Sequence, residues 1–189
     1  MNNNGLFSKE SVDSIAFKNR AANYTFLRKE KLSDFEIEAM FKIIKNNLIQ
    51  IGYSVSDGDK KIWISCLQKN LTSKNFFNFI AYKNNQIVGF AQLIIIDNKL
   101  TFSDVELSDL VKNSRIILEL VDYTFNLKEF ASFDEVYFNI NNKNQKSINT
   151  FSHLGGKVIQ KREKSSQYLL KRADVKNYLD KIKHSNKHY

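Results

Sequence analysis

Proline is absent from this sequence, cysteine occurs once and glycine only six times among 189 residues. A lone Cys66 cannot form an internal disulfide, so a disulfide-stapled secreted scaffold is excluded and a cytoplasmic location is expected. The low glycine and proline contents exclude a collagen-like chain. The longest apolar run, roughly Gly89 to Ile96, is far shorter than the ~18 residues of a membrane helix, so no membrane association is expected. The segment MNNNGLFSKE has no cationic head followed by an apolar stretch, which predicts that no secretory signal is present.

Positive charge exceeds negative charge, since 29 Lys and Arg stand against 20 Asp and Glu and the net charge is +9. The excess is concentrated in residues 157–189, which contain ten basic and three acidic residues. This pattern is typical of a solvated surface, but it also suits attraction of an anionic ligand or a polyanion. Most of the basic residues are lysine, whereas arginine is the better bidentate reader of phosphates and bases. The sequence therefore disfavours nucleic acid as a partner.

The composition, 42% hydrophobic and 26% charged, predicts a globular chain that buries a core of its own. No Gly/Ser-rich or charged linker interrupts its middle, which indicates one domain. We predict a flexible leader over residues 1–22, with a short helical piece near residues 12–17. A folded domain over residues 23–172 and a basic helical tail over residues 173–189 complete the chain.

Local signals predict that the domain opens with a strand at Tyr24–Arg28 and two helices. Ser33 and Glu36 have the spacing of a capping box, and Gly52 follows the helix where a left-handed C-terminal residue is favoured. Between them, apolar residues recur at alternating steps of four and three from residue 37 to residue 51, as on one helix face. The second helix follows a turn at residues 56–59. Its predicted inward residues are Ile62, Cys66 and Leu67.

Aromatic and β-branched residues then predict three strands, at residues 77–82, 87–96 and 99–107, which pair as an antiparallel meander. The turn pairs Asn84-Asn85 and Asp97-Asn98 separate them. The remaining predicted elements are a helix at 115–126, a strand at 135–140, a helix at 144–154, a hairpin of 157–162 and 167–171 that turns at Ser165-Ser166, and a helix at 173–182. The order βααβββαβαββ predicts an α+β (mixed α/β) fold whose sheet is mostly antiparallel, with one parallel crossover through helix 115–126.

One motif lies on the late helix: Asn144-x-x-Ser147-Ile148-x-x-Phe151-x-x-x-Gly155-Gly156. It resembles the Asn-x-x-Ala/Ser-Ile-x-x-Tyr/Phe-x-x-x-Gly-Phe helix of the GNAT superfamily, N-acetyltransferases that use acetyl-CoA. The element order around it also resembles that family over roughly residues 24 to 172. The resemblance implies a GNAT-like acyl-CoA N-acyltransferase fold, acetyl-CoA as co-substrate and an amine-bearing acceptor. A homodimer is compatible with it.

The same resemblance implies a position for the cofactor. The pantetheine arm would lie between strands 99–107 and 135–140 and pair with backbone near Val105 and Leu107. Asn144 and Ser147 would border the arm, although Asn144 equally suits a plain helix cap. Phe151 is expected to pack in the core. Many family members carry there a tyrosine that is thought to protonate the departing thiolate, which phenylalanine cannot do.

The pyrophosphate loop of the family, Gln/Arg-x-x-Gly-x-Gly/Ala, aligns with Lys112-Asn113-Ser114-Arg115-Ile116-Ile117. Both glycine positions are lost, to Arg115 and Ile117, although Lys112 keeps the basic first position. Every backbone amide can still donate because the loop has no proline, and Lys112 and Arg115 can add charge-assisted contacts. We therefore predict weakened or rearranged pyrophosphate binding. The alternative is a catalytically inactive binding or regulatory module that has lost the cofactor.

Transfer to an amine needs a base, because an amine with a pKa near 10 is mostly charged at pH 7. Glu106 is our first candidate and Asp104 the second, since both project from the same face of one strand. Alternatively, the two carboxylates have no catalytic role and belong to the exposed polar face of a half-buried strand. Glu119 and Asp122 are weaker candidates for the base.

Several other residues carry chemistry that fits a site less well. An amine pocket could be lined by Tyr53, Asp57, Asp59 and Trp63, although turn formation and a core tryptophan explain them equally. His153 is predicted to be a surface or capping histidine, and Cys66 a buried structural thiol. His184 and His188 have helical metal-ligand spacing but no third ligand, so no metal site is predicted.

Overall fold

The computed structural model describes residues 17–18, 24–111 and 116–185. The strands are β1 (Phe17–Lys18), β2 (Tyr24–Arg28), β3 (Phe76–Lys83), β4 (Gln86–Ile96), β5 (Lys99–Leu107), β6 (Glu135–Asn141), β7 (Lys157–Lys161) and β8 (Ser165–Lys171). The helices are α1 (Asp34–Gln50), α2 (Asp57–Leu71), α3 (Ile116–Asn126), α4 (Gln145–His153) and α5 (Arg172–Ser185), with a 3₁₀ turn at Lys128–Phe130. The strands form one sheet in the order β1-β2-β3-β4-β5-β6-β8-β7. Its only parallel pair among the described residues is β5 with β6, so the predicted mixed fold and its single crossover are confirmed.

Side-chain caps start both N-terminal helices. The predicted capping box of α1 is present, since the Ser33 amide donates to the Glu36 carboxylate at 2.8 Å and the Glu36 amide donates to Ser33 Oγ. Gly52 has the predicted left-handed conformation after the helix, with φ of +85°. Ser56 and Asp59 form a second capping box at the start of α2, where the sequence had indicated only a turn.

Both predicted hairpin turns between β3, β4 and β5 are confirmed. Asn84, Asn85, Asp97 and Asn98 all have positive φ, as a two-residue type I′ turn requires at both of its central positions. Asparagine and aspartate tolerate this conformation better than other non-glycine residues do. The turns therefore set the register at the connected ends of the three central strands, and a β-bulge in each pair shifts it farther along.

The sheet is covered on both faces. One face packs against α3, α4 and α5, and its buried residues include Phe79, Leu100 and Phe102. The other face packs against α1 and α2, and its buried residues include Ile80 and Phe90. Two polar side chains, Asn78 and Gln92, are nevertheless buried in the strands between these layers.

Three local predictions were wrong: the inward positions of Ile62 and Cys66 in α2, and the hairpin turn at Ser165-Ser166. In α2, Ile62 and Cys66 are exposed and only Leu67 is buried as predicted, because the helix turns a stripe through Trp63, Ile64 and Leu67 toward the sheet. Cys66 is therefore a surface thiol. The last hairpin does not turn at Ser165-Ser166: both serines belong to β8, where Ser166 pairs with Ile140, and the turn lies at residues 162–164. The leader prediction lies outside the described residues except at β1, which pairs with β2.

Arg172, at the start of α5, holds the segment that connects α3 to β6. Its Nη2 donates to the carbonyl oxygens of Phe130 at 3.0 Å and Phe133 at 2.9 Å, and its guanidinium lies 4.9 Å from the centre of the Phe125 ring. Arg172→Met keeps the length of the stem but leaves these carbonyls without the donor. We expect it to lower the free energy of unfolding by about 1.5 to 2 kcal/mol, measured by urea denaturation. Lys171→Met, on the exposed neighbour, is the control, and equal effects of the two variants would contradict this role.

Candidate active site

A slot opens where β5 and β6 part. The two strands pair only over Leu100–Phe102 and Val136–Phe138, although β5 continues to Leu107 and β6 to Asn141. Beyond the last pair, the facing strand edges are not joined by ladder hydrogen bonds. A cavity of about 210 Å³ lies between them. Backbone groups on such an edge can pair with an extended ligand as they would with another strand.

Four elements supply the walls of the slot. The lining residues are Asn47 and Leu48 of α1 with Ile51 directly after it; Phe102, Ser103, Asp104, Val105 and Glu106 of β5; Phe138, Asn139, Ile140 and Asn141 of β6; and Asn144, Ser147 and Phe151 at α4. The structure thus brings together the predicted residues Asp104, Val105, Glu106, Asn144, Ser147 and Phe151. Leu107 is buried and does not line the slot.

A β-bulge at Ser103 sets the direction of the two carboxylates. Gln92 pairs with Asp104 and Leu93 pairs with Phe102, which leaves Ser103 without an opposite residue. Its Oγ donates to the Gln92 carbonyl at 3.2 Å. The extra residue inverts the alternation of the strand, so that Asp104 faces α1 and α2 together with its partner Gln92. Without the bulge, Asp104 would point to the opposite face, where Phe102 lies.

Asp104 is half-buried and lines the slot. Burial raises the pKa of Asp104 from its ordinary value of 3.8 to about 6. Among the described residues its carboxylate has no hydrogen-bond or ion-pair partner. This carboxyl group therefore exchanges its proton close to neutral pH.

Glu106 is held by α1. Asn47 Nδ2 donates both to the Glu106 carboxylate and, at 3.2 Å, to the carbonyl oxygen of Leu107. One turn later, Gln50 Nε2 donates to the carboxylate of Asp109 at 3.0 Å. The end of α1 is therefore fixed to the end of β5. Sequence analysis missed Asn47, whose only signal was an amide beside the apolar helix stripe.

The predicted late helix is confirmed, and its residues divide between capping and packing. Asn144 is the N-cap, and its Oδ1 accepts from the Ser147 amide at 3.0 Å. Phe151 is buried with its ring centre 4.2 Å from that of Phe138. Gly155 has φ of +86°, and a Cβ on Gly156 would lie 2.6 Å from the Phe151 carbonyl oxygen. The glycine pair therefore ends the helix closely against its own last turn.

No protein-family model and no curated protein matches this sequence. Solved structures do match it. The N-acetyltransferase PseH of Campylobacter jejuni in complex with acetyl coenzyme A superposes with a TM-score of 0.58 at 16% identity, over 79% of this chain and 99% of that one. The PaiA N-acetyltransferase of Thermoplasma acidophilum in complex with coenzyme A gives a TM-score of 0.62 at 16% identity, over 77% of this chain and 98% of that one. FdhC, a nucleotide-linked sugar GNAT, gives 0.64 at 17% identity, over 87% of this chain and 94% of that one.

The chain has the GNAT fold. The resemblance noted in the sequence is thereby confirmed at the level of the fold, at an identity that marks a divergent chain.

The predicted phosphate loop precedes α3 in the sequence and includes its first two residues. Its residues Lys112, Asn113, Ser114 and Arg115 lie outside the described residues. Ile116 begins the helix and is fully buried, and Ile117 packs half-buried against the same hydrophobic cluster. The Ile117 side chain, at the second lost glycine position, is therefore engaged in packing. Only its backbone amide remains for a contact with phosphate.

The four residues considered for an amine pocket do not come together. Trp63 packs against Phe41 and Phe90 in the core, and the Asp59 carboxylate is taken up by its capping box. Asp57 lines a separate groove of about 700 Å³ beside α1. Tyr53 alone reaches the rim of the slot, where its hydroxyl accepts from Asn141 Nδ2 at 3.1 Å.

The remaining candidates lie away from the slot. Glu119 and Asp122 are on α3 and do not line the cavity. His153 is exposed, with Nδ1 2.6 Å from the Asn149 carbonyl oxygen, as predicted for a surface or capping histidine.

Neither a metal cluster nor a membrane helix is found in the part of the chain that the structure describes. His188 and the side chain of His184 lie outside that part. Within it, no three His, Cys, Asp or Glu side chains converge as metal ligands. None of its helices combines the length and apolarity needed to cross a bilayer.

Proposed function

We propose that this protein transfers an acetyl group from acetyl-CoA to an amine acceptor. The observation that carries the proposal is the slot between β5 and β6, which combines unpaired strand edges with a cavity of about 210 Å³. GNAT-fold proteins bound to acetyl-CoA and to CoA support the same reading. When bound, acetyl-CoA would supply the activated acetyl thioester.

The walls of the slot fit a flexible amide-bearing arm. The free edges of β5 and β6 offer backbone donors and acceptors, and Ser147 leaves room for close approach because its side chain is small. Phe102, Phe138 and Phe151 form an apolar wall against which a thioester could pack. The pyrophosphate would lie at the amino end of α3, where the helix dipole favours negative charge.

Asp104, the second candidate from the sequence, would serve as the base in place of Glu106, the first candidate. A base is most effective when its pKa lies near the working pH, and Asp104 meets that condition better than an ordinary carboxylate does. Asp104 would take the first proton from the ammonium form of the acceptor, which frees the nitrogen lone pair to attack the acetyl carbonyl. Glu106, anchored by Asn47, would attract the cationic amine into the slot. The second proton, which the nitrogen loses after the attack, would pass through water to the departing thiolate, because Phe151 has no proton to give.

The acceptor would be a polar amine. Asn139, Asn141 and Ser103 on the slot walls can hydrogen-bond hydroxyl or amide groups of a substrate. One GNAT-fold neighbour acts in nucleotide-linked sugar chemistry. A panel of acceptors should therefore include a nucleotide-linked amino sugar, a polyamine and a peptide with a free α-amino group.

The proposal is tested first by thermal unfolding with acetyl-CoA. A ligand that binds only the folded state stabilises it by ~2.7 kcal/mol at 100 times Kd, so the unfolding midpoint should rise with cofactor concentration. Ser147→Trp fills the slot and should abolish this rise. Ser152→Trp places the same side chain on the exposed face of α4 and should preserve it.

The second part of the test is acetylation of each acceptor in the panel, measured by the release of free CoA thiol. No rise in midpoint at millimolar cofactor would refute the transferase and favour the inactive binding module. A rise in the midpoint without release of the CoA thiol in the presence of any acceptor would leave a cofactor-binding protein that does not catalyse.

A further inference from the structure

A row of three polar side chains crosses the sheet beneath α1 and α2. Asn78 of β3 pairs with Gln92 of β4, and Gln92 pairs with Asp104 of β5. Directly paired residues place their Cβ atoms about 4.5 to 5.5 Å apart on the same face. We call Asn78, Gln92 and Asp104 the polar row. It begins in the slot at Asp104 and runs inward for two strands.

The inner two members of the polar row are buried without satisfying their polar atoms. Asn78 is 1% exposed and Gln92 is 3% exposed. Neither amide atom of Asn78, and not Nε2 of Gln92, has a hydrogen-bond partner among the described residues. A buried amide without partners destabilises the fold by about 1 to 3 kcal/mol, so such groups are normally matched by protein or by ordered water.

The polar row interrupts an otherwise apolar face. On one side of it lie Phe76 and Ile94, and on the other Ile80 and Phe90, all packed against α1 and α2. Leucine or isoleucine at positions 78 and 92 would match these neighbours. The amides therefore do not serve the packing of this face, and they require another explanation.

Few charged groups face the polar row. Glu106 is the only other titratable residue among those that line the slot. At the far end the Lys29 amide donates to the Asn78 carbonyl oxygen at 2.8 Å, while Lys29 Nζ lies 3.2 Å from the Glu36 carboxylate. That carboxylate also accepts from the Tyr82 hydroxyl at 2.8 Å. Lys29 and Glu36 are thus paired with each other. Within the polar row, the groups that can serve Asp104 are the uncharged amides of Asn78 and Gln92.

We propose that the polar row is a binding site for ordered water, in which the amides of Asn78 and Gln92 hold water that donates hydrogen bonds to the Asp104 carboxylate. The water would hydrate that carboxylate from beneath while its other side faces the slot. A water needs two to four polar partners, and three amide atoms with a carboxylate can provide them. Asn78 and Gln92 are then positioning residues for the base. The role of Asp104 as base rests on the proposed function, but the water site does not.

The decisive measurement is the titration of the Asp104 carboxyl carbon by NMR, in protein without cofactor or acceptor. Loss of the donated hydrogen bond disfavours the ionised form, so Gln92→Leu and Asn78→Leu should each raise the midpoint by about 0.5 to 1 pH unit. Gln86→Leu, at the exposed start of the same strand, is the matched control and should leave the midpoint unchanged. An unchanged midpoint in folded Gln92→Leu and Asn78→Leu would overturn the water site.

A second measurement needs no variant. Nuclear Overhauser transfer from water to the side-chain amide protons of Asn78 and Gln92 is expected in the native protein, and its absence would refute bound water. If the protein transfers acetyl groups, Gln92→Leu should shift the acidic limb of the pH profile of kcat/KM upward by the same amount as it shifts the Asp104 titration midpoint. If no acceptor is acetylated at any pH while the titration behaves as described, the proposed function fails and the water site stands.

Discussion

Asp104→Asn is expected to lower kcat by about 10²- to 10⁴-fold with little change in cofactor affinity, because it removes the base but keeps the shape of the side chain. The native kcat/KM should fall as the pH drops through about 6, where the Asp104 carboxylate takes up its proton.

Glu106→Gln should instead raise the KM for a cationic acceptor more than it lowers kcat. Steady-state kinetics over pH 5–9 measure both effects. A larger kcat loss in Glu106→Gln would exchange the two roles.

The same Asp104→Asn substitution should stabilise the protein. Burial raises the pKa of Asp104 above its unfolded value, so the folded state binds more protons than the unfolded state between pH 4 and 6. The carboxylate thus weakens the fold as the pH rises through this window, by at most about 3 kcal/mol at pH 7. An amide at this position removes the penalty. Greater stability with lost turnover separates a catalytic role from a structural one, since a structural residue would lose both together.

Gly89→Val is expected to cost about 3 kcal/mol of unfolding free energy or more and to displace the slot wall. A Cβ at Gly89 would lie 2.6 Å from Leu107 Cδ2 and 2.8 Å from the Glu106 carbonyl oxygen. The side-chain atom could rotate away, but the carbonyl belongs to β5 and can yield only if the strand moves. The strand that carries Asp104 and Glu106 would shift with it. Urea denaturation and acetyl-CoA affinity should therefore change together.

Gly58→Ala is the matched control for this prediction. Gly58 lies in the first turn of α2, where an added Cβ would meet no atom closer than 3.4 Å. Alanine is favoured over glycine in a helix by up to about 1 kcal/mol, so Gly58→Ala should be neutral or stabilising. Destabilisation by Gly58→Ala equal to that of Gly89→Val would show that the effect of Gly89→Val is not due to crowding against β5.

The elements that sequence predicted well are those whose signals are local. The Ser33–Glu36 capping box, the Asn-Asn and Asp-Asn turns and the Asn144 helix cap each depend on residues within four positions of one another. Their geometry follows from nearby hydrogen bonds and backbone preferences, whatever the rest of the chain does. The order of elements then restricts the topology to a few possibilities, and one motif was enough to select among them.

What could not be predicted depends on residues far apart in the chain. The bulge at Ser103 appears only in the pairing of β4 with β5, yet it decides which face Asp104 occupies. In α2, Ile62 and Trp63 lie on adjacent apolar positions, and only packing on the sheet selects Trp63. The contact of Asn47 with Glu106 spans 59 positions and leaves no mark on either local sequence.

Trp63 is the single tryptophan of the chain, and it lies between the rings of Phe41 and Phe90 where α2 meets the sheet. Its indole fluorescence consequently reports one defined layer of the molecule, the face that bears the two carboxylates, without any introduced label. Detachment of that layer can be followed optically and separately from melting of the helices on the opposite side.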